Sequence, residues 1–275
     1  MPVPVAVASV EGTAYGPDVT DVTDVTDATD GTAFLSEGRT YEVGGVPVRV
    51  WRCRLGTAAP TARELRTLSD EETARYRSFH DPVRAAWYAR AHTGLRRALA
   101  PLLEVAPARV VFGRGPCPTC DDPRHGRPVI TAPATELEIS LSRSGPYWLC
   151  AVTESVPVGA DIERLRPSYA TGLPEAVLGA AELAHLRSVP PGARAVEFLR
   201  CWTRKEAVVK GSGVGITTDL RGVAVRPDLP LAVVRHRAAA GGPDTWAVRD
   251  LPAGTDHLAA LAVAVPSPRS SALFP

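Results

Sequence analysis

Three acidic side chains and two lysines mark where chemistry could sit in this chain. Gly159-Ala-Asp161-Ile-Glu163 alternates like a strand. On a strand, residues i and i+2 share a face, so both carboxylates project together. Two adjacent acids repel each other unless something cationic lies between them. A hard divalent cation with oxygen ligands is one answer; an ordinary exposed strand edge is the other. Further on, Trp202-Thr-Arg-Lys205-Glu206-Ala-Val-Val-Lys210 reads as helix, with Trp202, Glu206 and Lys210 on one face. A surface Glu–Lys pair there would contribute only about 0.3–0.5 kcal/mol. Composition argues for more. Lys205 and Lys210 are the only lysines among 31 basic residues. A chain that otherwise uses arginine has placed a compact ammonium here, which suits a phosphate-facing point charge.

Two further clusters could bind anions or metal. Ser140-Leu-Ser142-Arg143-Ser144-Gly145 closes a strand segment, and hydroxyls, an arginine and a glycine turn can cradle a phosphate or form a simple turn. Cys117-Pro-Thr-Cys120 and His125 precede Gly126-Arg127-Pro128. Cys-x-x-Cys with a nearby histidine suggests a zinc knuckle, but a structural site needs four ligands. Only Cys53 or His92 is at hand to complete it, and a plain loop with free thiols is the alternative. No thioredoxin-like βαβ pattern surrounds the pair, which argues against a redox role. Cys150 and Cys201 read as small buried side chains, Trp87, Tyr88 and Trp148 as core. His92, His185, His236 and His257 form no ligand spacing.

The elements that must position these groups follow from pattern and punctuation. VPVRVWRCRL (46–55) alternates as a strand. Ser69 caps a short helix with acids in its first turn. A long helix is expected over about 83–104, ended by Pro107, then a strand at 108–113 and a loop over 113–128. Strands follow at 136–142, 147–152 and 156–163. Helices are expected over about 174–188 and 193–210, the second stopped by Gly211 and Gly213. Strands at 222–227, 231–236, 245–249 and 257–265 complete the fold. This order predicts an α+β protein of two similar halves, 46–155 and 156–265, with a loose tail at 266–275.

The chain has 275 residues and is 45% hydrophobic, enough for a substantial core. Its net charge of +1 hides a split: residues 1–45 hold eight acids against Arg39, leaving −7 there and +8 on the remainder. The folded part should attract something anionic. Residues 18–30, DVTDVTDVTDATD, repeat every three residues, a period that fits neither strand nor amphipathic helix, and the acidic segment 1–45 is expected to be disordered. No run of about 18 apolar residues exists, so no membrane association is expected. The N-terminus lacks the basic start of a signal peptide. With an odd number of cysteines, a reducing cytoplasm is the expected location. Aromatic residues do not interleave with the arginines, which argues against nucleic-acid binding.

Together, Gly159-Ala-Asp161-Ile-Glu163 and Trp202-Thr-Arg-Lys205-Glu206-Ala-Val-Val-Lys210 resemble the two signature motifs of surfactin-type 4′-phosphopantetheinyl transferases. Gly126-Arg127-Pro128 is similar to that family's Gly-Lys/Arg-Pro element, Ser140-Leu-Ser142-Arg143-Ser144-Gly145 to its Asn-x-Ser-His-Ser-Gly element, and Glu71-Glu-Thr-Ala-Arg75 to its basic helix. The resemblance covers roughly residues 46–265. It implies a pseudo-twofold α+β fold with coenzyme A between the halves, and transfer of phosphopantetheine to a serine of an acidic carrier protein. It implies Mg²⁺ held by Asp161, Glu163 and Glu206, and Lys210 neutralising charge on the pyrophosphate as 3′,5′-ADP leaves. Arg75, Arg127, Ser142 and Arg143 would bind the remaining coenzyme A groups, with Arg90 a weaker candidate. Glu182 would be the general base, with Glu163 acting through a water as its rival. Two positions depart from the family pattern. Arg143 stands where a histidine is usual and cannot serve as a base at neutral pH. Ser140 replaces an asparagine, which is expected to loosen that turn. The chain length suits a monomer rather than the small trimeric branch. Two other readings share some of these residues: a Mg²⁺-dependent nucleotide pyrophosphate hydrolase, and a non-enzymatic basic protein-binding module.

Overall fold

The computed structural model describes residues 38–120, 122, 125–166, 174–215, 218–238 and 242–265. The acidic repeat and the tail from 266 lie outside them. A hairpin of β1 (Arg39–Val43) and β2 (Val46–Arg54) turns at Gly44-Gly45, both at positive φ. Helices α1 (Ala62–Leu65), α2 (Asp70–Arg77) and the long α3 (Pro82–Leu99) follow. A ribbon of β3 (Val111–Arg114) and β4 (Pro128–Ala132) leads to β5 (Leu137–Ser144) and β6 (Tyr147–Glu154). Then come β7 (Val158–Arg164), α4 (Pro174–Val177), α5 (Ala180–Ser188), the long α6 (Arg194–Ser212), β8 (Leu231–Arg235), β9 (Thr245–Leu251) and β10 (His257–Ala264).

The strands form two four-stranded antiparallel sheets, ordered β1-β2-β6-β5 and β7-β10-β9-β8. One long helix covers the outer face of each. Leu95 and Leu99 of α3 pack on Trp51, Trp148 and Cys150 of the first sheet. Phe198, Val208 and Val209 of α6 pack on Trp246, Ala260 and Ala262 of the second. The inner faces meet through Val48, Leu149 and Ala151 on one side and Ala160, Leu261 and Val263 on the other. The molecule is therefore an α+β protein of four layers. β10 is apolar along its length because both its faces are buried.

Local sequence explains most element ends. Ser69 caps α2 in a reciprocal box with Glu72. Asp81 accepts from the first turn of α3, which Pro82 opens. α6 stops at Gly213, whose φ of 82° is left-handed. Three expectations change. β1 lies inside the segment read as disordered, because β2 supplies a ladder that an acidic stretch alone lacks. β4 begins where a loop was expected to end, at Pro128, and pairs with β3. Residues 222–227 form no strand; a single 3₁₀ turn at Leu220–Gly222 leads into irregular chain. There the buried Arg204 guanidinium takes the carbonyls of Val225, Arg226 and Leu229, so these groups serve a side chain instead of a neighbouring strand.

The closest approach in the core joins β7 to α6. A β-carbon on Gly159 would fall 1.8 Å from the Ala207 carbonyl oxygen and 2.6 Å from the Gly211 nitrogen. Helix and strand touch backbone to backbone, which only glycine permits. Gly159→Ala is expected to destabilise the protein by at least about 2–3 kcal/mol, measured by urea unfolding; a change below the measurement error would show that the contact can relax.

Helix α2 is held to α3 by one carboxylate. Glu72 accepts from His92 Nδ1 (2.8 Å) and takes both a 2.9 Å and a 3.0 Å contact from Arg96. Burial by itself would raise its pKa, but these partners and the Ser69 N–H outweigh it and hold the carboxyl at about 2. The folded value lies below the ordinary 4.5, so the stabilisation is complete above that pH and fades as pH falls towards about 2. Glu72→Gln is expected to cost about 1–3 kcal/mol at pH 7, with the gap to the parent protein narrowing through that window in parallel urea titrations.

Candidate active site

The β7–α6 contact decides what else meets. Gly159, Asp161 and Glu163 share the face of β7 turned to α6, while Val158, Ala160 and Ile162 face the first sheet. Glu206 and Lys210 flank Ala207 and Gly211 on the helix, so the glycine contact carries them to the acidic pair. Lys210 Nζ donates to Asp161 Oδ1 at 2.5 Å and to Ser142 Oγ at 3.0 Å. The strand pair expected to project its carboxylates together does so, and residues distant in sequence close around it.

The serines of β5 perform a different task from the one their turn-like sequence suggests. β5 and β7 are edge strands of different sheets with no backbone ladder between them. Ser140 Oγ accepts from the Ala160 N–H (2.9 Å). Ser142 Oγ donates to Asp161 Oδ1 (2.8 Å). Ser144 Oγ donates to Glu163 Oε2 (2.8 Å) and accepts from the Arg164 N–H (3.0 Å). Alternation along β5 puts all three hydroxyls on one face, where they join the sheets and orient both acids. Ser140 therefore sits within a strand and tightens the junction, contrary to the expected loose turn. The signal for this was the Ser-x-Ser-x-Ser period itself, matched to the Asp-x-Glu period of β7.

The electrostatics of the cluster suit a bound cation. Asp161 Oδ2 and Glu206 Oε1 are buried and accept no hydrogen bond from the protein, a costly state for a charged oxygen. Burial foremost, with Lys210 opposing it and Asp161 and Glu163 adding to it, raises Glu206 to about 7. Burial and then the Asp161 charge also push Glu163 upward. The three carboxylates are not gathered to metal-ligand spacing with Lys210 lodged on Asp161; among the described residues only Cys117, Cys120 and His125 bring three donor atoms within 4.8 Å of one another. An all-oxygen donor set with orphaned lone pairs is nonetheless chemistry that Mg²⁺ accepts.

Other expected site residues are placed less uniformly. Arg143 lies on the face of β5 opposite the serines, and surrounding protein first and Arg84 second lower its pKa. An anion nearby would relieve that like charge. Arg75 is exposed on α2 and stacks over Phe79 at 5.0 Å. Arg127 forms a two-pronged ion pair with Glu138, one prong at 2.7 Å, so its guanidinium is already engaged. Arg90 is buried and bonds Glu64 and the carbonyls of Gly56 and Ala58; it anchors a loop and does not reach the cluster.

Glu182 and Lys205 are not brought to the site either. Glu182 is buried, accepting from Lys205 Nζ (2.6 Å), the Gly179 N–H (2.9 Å) and the Val225 N–H (2.9 Å). Both oxygens are engaged, so this placement does not support a proton acceptor there. Lys205 also donates to the Leu220 and Val223 carbonyls. It is a structural cation, not a phosphate-facing one.

Comparison with known proteins identifies the family. The family model for the 4′-phosphopantetheinyl transferase superfamily matches residues 157–262, from β7 through most of β10. The chain is 31% identical over 222 residues to the 4′-phosphopantetheinyl transferase HetI of Nostoc sp., covering 79% of this chain and 87% of that one. It is 35% identical over 131 residues to AcpT of Salmonella typhi, covering 47% and 59%. A 4′-phosphopantetheinyl transferase of Bacillus subtilis is 28% identical over 132 residues, covering 48% and 54%. The chain belongs to the 4′-phosphopantetheinyl transferase superfamily and is a transferase. No helix among the described residues is long and apolar enough to cross a membrane.

Removing Glu182 leaves Lys205 buried and unpaired. Glu182→Gln is expected to cost about 3–5 kcal/mol, seen as a lowered Tm, while the specific activity of the folded fraction stays near that of the parent. A large kcat loss in fully folded Glu182→Gln would instead make this carboxylate part of the chemistry.

Proposed function

We propose that this protein is a surfactin-type enzyme that moves 4′-phosphopantetheine from coenzyme A to a serine hydroxyl of an acidic apo-carrier protein, releasing 3′,5′-ADP. The observation that carries the reading is the convergence of Asp161, Glu163, Glu206 and Lys210 at the β7–α6 contact, with buried carboxylate oxygens lacking partners. Asp161, Glu163 and Glu206 would hold Mg²⁺, which when bound offsets the negative charge of the pyrophosphate.

The acceptor serine oxygen attacks the phosphorus nearer the pantetheine. A new P–O bond forms to serine, the bridging P–O bond breaks, and its electron pair leaves with 3′,5′-ADP. Lys210, half-exposed where Asp161 is buried, moves from its ion pair to the phosphate oxygens and stabilises the charge developing there. Glu163, with its pKa raised and Ser144 holding one oxygen, takes the serine proton directly or through a water. Ser142 keeps Asp161 turned toward the helix. Arg143, Arg75 and a released Arg127 bind the outlying phosphate and ribose groups. The two halves, 46–155 and 156–265, flank the bound coenzyme A. The +8 surplus outside the acidic segment steers both anionic partners, and the rate of encounter falls as salt rises. The enzyme acts as a cytoplasmic monomer and uses neither nucleic acid nor membrane.

The test is mass spectrometry of apo-carrier proteins from fatty-acid, polyketide and peptide synthesis after incubation with coenzyme A and Mg²⁺. Phosphopantetheine addition to a serine is expected with the parent protein. None is expected with Asp161→Ala, and a kcat about 10²–10³-fold lower with Lys210→Ala. Release of 3′,5′-ADP at the same rate with no carrier present would identify a pyrophosphate hydrolase instead. Full transfer by folded Asp161→Ala would remove the metal assignment.

A further inference from the structure

The ribbon loop between β3 and β4 holds a second cluster that the transfer reaction does not use. Cys117 Sγ, Cys120 Sγ and a ring nitrogen of His125 lie within 4.8 Å of one another. Cys120 Sγ is 3.1 Å from His125 Nδ1. The carboxylate of Asp122 stands 3.9 Å from the other ring nitrogen, Nε2, on the side from which acids orient metal-bound imidazoles. The remaining cysteines differ in kind. Cys150 and Cys201 are buried, Cys53 half-buried, and burial pushes all three thiols up, Cys53 and Cys201 to about 12. Cys117 and Cys120 lie nearer the surface, Cys120 exposed. Cys117 Sγ also lies 3.3 Å from Thr119 Oγ1.

We propose that Cys117, Cys120 and His125 bind one soft or borderline transition-metal ion, Zn²⁺ in the cell, as a knuckle that closes the β3–β4 loop. Two thiolates and an imidazole match zinc and leave its fourth tetrahedral position to water or a further donor. The loop has a reason to be closed. Its stem pairs through Gly115 N–H to Arg127 O (2.9 Å) and Arg114 Nη1 to Gly126 O (3.1 Å). Its far side packs on the end of α6, where a β-carbon on Gly213 would lie 3.6 Å from Pro118 and 3.9 Å from Arg127. The metal therefore ties the Gly126-Arg127-Pro128 segment to the helix that bears Glu206 and Lys210.

Zinc content of the full chain, purified under reducing conditions, is measured first, followed by titration of the metal-stripped protein with Co²⁺. About one zinc per chain is expected, with thiolate-to-cobalt charge transfer and tetrahedral d–d absorption on titration. In Cys120→Ser the charge-transfer band should fall by about half and zinc be lost on dialysis, while circular dichroism stays that of the parent. A chain free of zinc whose Co²⁺ spectrum lacks thiolate bands would overturn the proposal, as would a Cys117–Cys120 disulfide in the reduced preparation. These readouts are independent of phosphopantetheine transfer.

Discussion

The contact between the backbones of β7 and α6 governs the rest of this molecule. Gly159 and the Ala207–Gly211 stretch sit so close that no side chain fits between them. That proximity does what neither element could do alone: it brings an acidic pair with strand period against a helix face that carries one more acid and an ammonium. Move the helix outward by the width of a methyl group and Lys210 loses Asp161, while Glu206 returns to solvent. The glycines of the two motifs are therefore as much part of the site as its charges.

A second constraint comes from the junction of the two sheets. β5 and β7 each end a sheet, and an unpaired strand edge is a liability. Here the edges face one another and serine hydroxyls replace the missing ladder. The same hydroxyls fix the rotamers of Asp161 and Glu163, so fold cohesion and site geometry come from one set of bonds. This explains why short polar side chains occupy buried positions on β5.

The cations divide by depth. Arg90, Arg96, Arg204 and Lys205 are buried and bound to carboxylates or clustered carbonyls. They act as hubs that hold α2 and irregular chain onto α3 and α6. Lys210, beside the acidic cluster, and Arg143, on the opposite face of β5, keep access to solvent. Two lysines in one motif thus have opposite duties, and their spacing explains it: Lys205 and Lys210 point to different sides of α6.

Much of this was legible in the chain. Periodicity and caps located α2, α3, α6 and most strands, because those signals are local. The pairing of Asp161 with Glu163, and of Glu206 with Lys210, followed from strand and helix geometry alone. Depth was not legible. Nothing local in Glu182, Lys205, Arg90 or Arg127 says whether a charge meets solvent, a substrate or a buried partner, since that depends on chain far away. Nor could residues 222–227, apolar and strand-like, reveal that Arg204 would claim their carbonyls. The amino-acid sequence determined which groups exist and which face of its own element each occupies; the tertiary fold decided which faces meet, because burial and pairing are properties of contacts between distant segments.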